Sequence, residues 1–192
     1  MNDQSRSILA ILSTDIAGYT KATEKDESFA FSLLAKNRDI ILKNVTSRNG
    51  HLFKEMADGT FSKFESAIDA AHCAIKIQSE AIARDLPLRI GLHLGDVLQE
   101  GDDILGIGVN IADRIQKLAE IGKIYISDDI WRQIKNQPDL DANEIGQHSL
   151  QGITGKVTLY DLLFNADGTI TEKIEVTHKI KTSDEDGKKI EG

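Results

Sequence analysis

A single cysteine, Cys73, is all that this 192-residue sequence contains, so an intrachain disulfide and a cysteine-rich metal site are both excluded and a reducing compartment is favoured. Positive charge is also short. Twenty-three Lys and Arg against 31 Asp and Glu leave a formal charge of −8, which argues against a nucleic-acid or anionic-membrane binder. An anionic ligand would therefore need local Lys, Arg or a metal to offset the surplus. No run approaches the length of a membrane span, and the opening MNDQSRS lacks the basic start and apolar run of a signal peptide. The expectation is a cytoplasmic chain with no membrane segment and no nucleic-acid partner, compatible with being one piece of a larger membrane protein. HExxH, GxSxG and Walker A motifs are missing, as is any internal repeat. GIGVNI fails as a dinucleotide fingerprint because its sixth position is Ile111.

What is present is an orderly alternation of periods. Residues 8–12 form an apolar strand, and 24–48 carry Phe31, Leu34, Ile41 and Val45 at helical spacing, closed by Asn49-Gly50. HLFKEMADGTFSKF alternates about Asp58-Gly59, a hairpin signal. An Ala-rich amphipathic helix is expected over 66–83, and PLRIGLHLGDVLQ reads as a long strand. Helical spacing returns over 106–119, through Val109, Ala112, Ile115 and Leu118. A short strand KIYIS, a helix DDIWRQI and closing strands in HSLQGITGKVTLYDLLF complete the pattern. The fold class is α/β (α+β): a ferredoxin-like βαββαβ core with additional C-terminal strands and helix. Residues 1–164 form one domain. Residues 165–192 form a charged tail without aromatics, in which TITEKIEVTHKIK has the alternation of an added strand.

Two aspartates stand out. Asp15 ends a buried strand, where a carboxylate is costly without a partner. Taken alone, it and Thr14 read as a helix cap, and Asp58 alone reads as a turn residue. In a ferredoxin-like unit, however, the first strand and the hairpin share a sheet, which brings the two carboxylates together. A divalent cation relieves their repulsion, and all-oxygen ligation favours Mg²⁺ or Mn²⁺ over zinc. Asn110 and Arg114, four apart, share a helix face. Arg presents a planar fork suited to phosphate, and Asn can orient a sugar hydroxyl. Lys54 and Asp103 form a donor and acceptor able to read a base edge, adenine through N1 and N6, guanine not being excluded chemically. His93 reads as a satisfied sheet residue, His72 as having no obvious ligand partner, and Cys73 as a small core residue.

In this order the segments resemble the catalytic domain of class III adenylate cyclases over residues 8–163. STDIAGYT resembles its first metal-aspartate motif, and FKEMADGTFSKF the hairpin with a base-reading Lys and the second metal aspartate. LRIGLHLGDV resembles its central strand, DILGIGVNIADRI its base-reading Asp with Asn and Arg, and GKIYIS and LQGITGKVTLYDLL its closing strands. The resemblance implies that Asp15 and Asp58, aided by the Ile16 carbonyl, bind two Mg²⁺ or Mn²⁺ ions. It implies that Lys54 and Asp103 read adenine, that Asn110 orients the ribose and that Arg114 stabilises charge on the α-phosphate. Arg89 would contact the terminal phosphates, and Lys156 lies near a further phosphate-binding position. The implied reaction converts ATP to 3′,5′-cyclic AMP and pyrophosphate at the interface of a head-to-tail homodimer, for intracellular signalling. Lys54 and Asp58 of one chain would then serve opposite sites.

Two departures from the family pattern bear on activity. Ala57 replaces the glycine usual before the second metal aspartate, a costly exchange if that turn needs positive φ. Asp113 occupies a position usually held by a small residue, where an inward-facing acid would partly neutralise Arg114. These departures support the alternative of a degenerate cyclase-like nucleotide-binding domain. Guanylate cyclase is the other alternative, although its usual Glu and Cys base readers are not found at 54 and 103. With Asp15 so near the start, no sensor domain is expected before the core of this chain.

Overall fold

The computed structural model describes residues 4–101, 103–165 and 167–169. Its centre is β1 (Gln4–Ile16), hydrogen-bonded antiparallel on one side to β3 (Gly59–Phe64) and on the other to β4 (Leu88–Glu100). β2 (His51–Met56) pairs with β3 in the expected hairpin. Before it come α1 (Tyr19–Lys25) and α2 (Glu27–Ser47), and α3 (Ala67–Ala83) joins β3 to β4. The resulting β2-β3-β1-β4 order is the ferredoxin-like unit. β5 (Asp103–Leu105) folds back on β4, followed by α4 (Ile107–Leu118), β6 (Ile124–Ser127), α5 (Asp128–Ile134), β7 (Ala142–Ser149) and β8 (Lys156–Leu162). β6 joins β4 in parallel, and β8 and β7 extend the sheet from there. No helix among the described residues is long and apolar enough to cross a membrane.

Period-two alternation along β1 assigns the two faces. Ala10, Leu12 and Ile16 enter the main core with Ile40 and Ile41 of α2, Ala70 and Ile77 of α3 and Ile130 of α5. Leu9 and Ile11 point the other way, to Phe61, Val97, Ile104 and Ala112 of α4. The seat of α4 is made by missing side chains. A Cβ on Gly91 would fall 2.3 Å from the Gln116 nitrogen and 2.6 Å from the Ala112 carbonyl, so only glycine lets the helix rest on β4. On the helix side a Cβ at Gly108 would fall 3.0 Å from the Asp96 carbonyl, a tight contact but not an overlap.

The helix expected over 24–48 is two helices. Asp26 takes extended backbone and caps α2 by accepting the Phe29 N–H at 3.0 Å, and α1 precedes it. The inward stripe of α2 runs through Ala30, Leu33, Asn37, Ile40 and Asn44, so Phe31 is 60% exposed rather than core. Leu118 of α4 likewise faces outward. The polar stretch around Asp103 contains a strand that apolar alternation could not reveal, since Ile104 is its only buried residue. The strand considered in TITEKIEVTHKIK lies outside the described residues, apart from its first threonine, Thr169.

Cys73 is fully buried, and burial pushes its thiol up to about 12, as a core residue requires. The His72 ring hydrogen-bonds to the Asp139 carboxylate at 2.8 Å. His93 is a satisfied sheet residue, its Nδ1 hydrogen-bonded to Ser127 Oγ at 2.9 Å. Burial lowers its pKa to about 4, only partly opposed by Asp129. The folded protein therefore keeps His93 neutral where the unfolded chain, titrating near 6.5, already binds a proton. Its stabilising effect is complete above about pH 6.5 and is lost progressively as pH falls towards 4, by up to about 3 kcal/mol. Urea unfolding across this window should show the loss, and His93→Gln should flatten it; an equally steep profile in the variant would assign the loss elsewhere. Gly91→Ala should cost roughly 2 kcal/mol or more by displacing α4, and a midpoint close to wild type would refute the seat described above.

Candidate active site

Asp15 is the penultimate residue of β1, opposite Gly59 on one neighbour and Arg89 on the other. The Ile16 N–H donates to the Asp58 carbonyl at 3.2 Å, tying the hairpin tip to the end of β1. Beneath them the Thr14 and Thr60 hydroxyls share a buried hydrogen bond of 2.7 Å. Both carboxylates thus come to one end of the sheet, as the topology requires. Arg89 donates to the Asp15 carboxylate through Nη2, while its buried Nε has no partner. Burial raises the pKa of Asp58 and the Asp15 charge adds to the rise, while its own backbone N–H and Arg89 oppose it. The acids are close enough to repel, and one cationic side chain already stands against them.

The Asp58 turn is strained. Met56 pairs with Gly59, leaving Ala57 and Asp58 as a two-residue loop, and Ala57 has φ +47°. Both favoured turns of such hairpins need positive φ at this first central position. Ala57 adopts that backbone at a cost glycine does not incur.

Lys54 owes its direction to a β-bulge. Leu52 lies opposite Ser62, yet Lys54 lies opposite Phe61, so Phe53 and Lys54 share one partner residue. Regular pairing would set Lys54 against Thr60, on the α2 side. The bulge turns it to the face that carries α4, the face of Asp15 and Arg89. Asp103 opens β5, where its Oδ1 accepts the Ile104 N–H at 3.0 Å. Ile104 packs in the cluster containing Phe61 and Phe53, so Lys54 and Asp103 flank one apolar patch, and both are exposed. Asn110 and Arg114 lie one turn apart on α4, Asn110 exposed and Arg114 half-buried. Arg114 donates through Nε to the Gln151 carbonyl at 3.3 Å and through Nη1 to Asp113, which also accepts from Lys117 at 2.8 Å. Lys156 is exposed at the start of β8.

The chain therefore brings together Asp15, Ile16, Asp58 and Arg89, and separately Lys54 with Asp103 and Asn110 with Arg114. Among the described residues no hydrogen bond or ion pair joins the first group to the others. A cleft of about 360 Å³ lined by Arg48, His51, Lys63 and Asp69 lies by the start of β2 and contains none of them. Two determinants escaped sequence reasoning. The bulge at Phe53 has no sequence signal, whereas the Gly91 and Gly95 spacing on β4 and Gly108 on α4 were visible as glycines in a strand and in a helix, each marking close approach.

Residues 1–164 match the family described as the adenylate and guanylate cyclase catalytic domain. The chain is 36% identical over 164 residues to the putative adenylate cyclase 3 of Rhizobium meliloti, covering 81% of this chain but 28% of that protein. Among solved structures it resembles an adenylate/guanylate cyclase/hydrolase from Silicibacter pomeroyi, with a TM-score of 0.78 at 26% identity over 85% of this chain and all of that one. The adenylyl cyclase CyaB from P. aeruginosa shares the fold, with a TM-score of 0.72 at 22% identity, covering 85% and 97% of the respective chains.

Proposed function

The chain belongs to the adenylate and guanylate cyclase catalytic domain family, and on that premise we propose that it converts ATP to 3′,5′-cyclic AMP and pyrophosphate at sites shared between two copies. The observation that carries the proposal is the meeting of Asp15 and Asp58 beside Arg89 at one end of the sheet. The likeness to a putative adenylate cyclase at 36% identity favours ATP over GTP.

The donors suit a hard cation. Two neighbouring carboxylates, of which Asp58 is raised by burial and by the Asp15 charge, form an all-oxygen set with the Ile16 carbonyl. Among the described residues no group of three or more His, Cys, Asp or Glu is arranged to hold a metal, so substrate phosphates would complete the coordination. Bound there, Mg²⁺ or Mn²⁺ would lower the pKa of the ribose 3′-hydroxyl and offset phosphate charge. Arg89, released from Asp15, binds the terminal phosphates. Lys54 donates to adenine N1 and Asp103 accepts from N6, with the Phe53–Phe61 patch beneath them. Asn110 orients the ribose for in-line attack on the α-phosphorus, and Arg114 stabilises the charge that develops there.

The separation of the acids from the base readers and α4 within one chain supports sharing of sites between two copies. In a head-to-tail pair the acids of one chain face the base readers and α4 of the other, and two-fold symmetry makes two such sites. The test is complementation, with cyclic nucleotide measured from ATP and from GTP using Mn²⁺ or Mg²⁺. Asp58→Ala and Arg114→Ala should each lose roughly 100-fold or more alone. Mixed one to one, they should recover about a quarter of wild-type activity, because half the dimers are mixed and each of those has one intact site. Recovery absent despite mixed dimers would place all the groups in one chain. Wild type inactive on both nucleotides at high protein concentration would leave a nucleotide-binding domain without turnover. Ala57→Gly should stabilise the fold by about 0.5–1 kcal/mol by relieving the positive φ, read from the urea midpoint.

A further inference from the structure

Neighbours in a helix do not face each other, yet Arg114 folds back along α4 to donate to the carboxylate of the residue before it. The same Asp113 oxygen accepts from Lys117 one turn on, and Arg114 is held on its other edge by the Gln151 carbonyl. Two of its five donors are thereby committed, and one lies against a full negative charge. The pair is half-buried, with side-chain exposures of 32% for Arg114 and 23% for Asp113, so water screens it less than a surface pair. Asn110, one turn earlier on the same ridge, is exposed. We propose that Asp113 is a positioning residue that acts as an internal counter-anion for Arg114, holding the guanidinium on its own helix until a phosphoryl oxygen displaces the carboxylate. An oxyanion arriving at Arg114 competes with Asp113 for the same face of the fork, and Lys117 moderates the competition by drawing Asp113 towards itself. The acid thus sets how strongly this chain grips a polyphosphate through α4.

The proposal rests on the cyclase reading for its kinetic consequence alone, so its test has an arm that needs no turnover. The full chain, labelled with ¹⁵N-arginine, is titrated with inorganic tripolyphosphate, following the Arg114 Nε–Hε resonance assigned by its loss in Arg114→Lys. Asp113→Asn keeps the side-chain shape and removes the charge, and it should lower the tripolyphosphate concentration at half-shift roughly three- to ten-fold, the range of a partly screened charged hydrogen bond. Lys117→Met should act in the opposite sense, since Asp113 is then left to Arg114 alone. Equal midpoints in wild type and Asp113→Asn, or a weaker response in Asp113→Asn, would overturn the proposal. In the kinetic arm Asp113→Asn should raise kcat/KM, because the freed Arg114 meets both the bound polyphosphate and the charge that develops in the transition state. A fall in kcat/KM together with a shifted titration would overturn the competitive role and leave Asp113 as a support that holds Arg114 in place. Inactivity of the wild type and of both variants beside a shifted titration would refute the cyclase reading and leave the counter-anion standing.

Discussion

The pairing of β1 along both its edges governs everything else in this domain. Thirteen residues are in register with β4 and six with β3, and the alternation of side chains divides the molecule at that strand. A slip of one residue would turn Ala10, Leu12 and Ile16 out of the main core and drive Asp15 into it, at the cost of a desolvated carboxylate. Register also brings Asp15 level with Gly59 and Arg89. The place of Asp15 at this end of the sheet is thus a by-product of the hydrophobic pattern, and only the two-residue turn that carries Asp58 is added to it.

A second constraint is the closeness of α4 to β4. Glycines at 91 and 108 remove the side chains that would otherwise separate helix from strand, so Asn110 and Arg114 are carried on a helix seated directly on the sheet. That seating gives their backbone little room to move independently of β1. Side chains carried on two elements so tied keep a defined spacing.

The sequence made some of this legible and hid the rest, for reasons that differ by residue. The hairpin and the long β4 announce themselves by strict alternation, although the turn residues are Ala57 and Asp58 rather than Asp58 and Gly59, and the pairing of Asp15 with Asp58 follows once the βαββαβ order is accepted. The break between α1 and α2 did not, because Asp26 is an acceptable helix residue whose capping role depends on extended backbone. Phe31 misled because large apolar residues are taken as core markers, whereas α2 packs through Ala30 and two inward asparagines, one of which bonds to the Ile40 carbonyl. The direction of Lys54 was unreadable in principle. It is fixed by one extra residue in β2, and a bulge leaves the local pattern of residue types intact.

Asp58 sits in a connection of two residues, as short as a hairpin allows. Such a turn has no slack, because one added residue would change the turn type and the register of β2 together. The domain is therefore open to variation by substitution at this corner and closed to variation by length. Longer connections, such as the one between β7 and β8 that supplies the Gln151 carbonyl to Arg114, remain where lineages of this fold can grow new segments without disturbing the two acids.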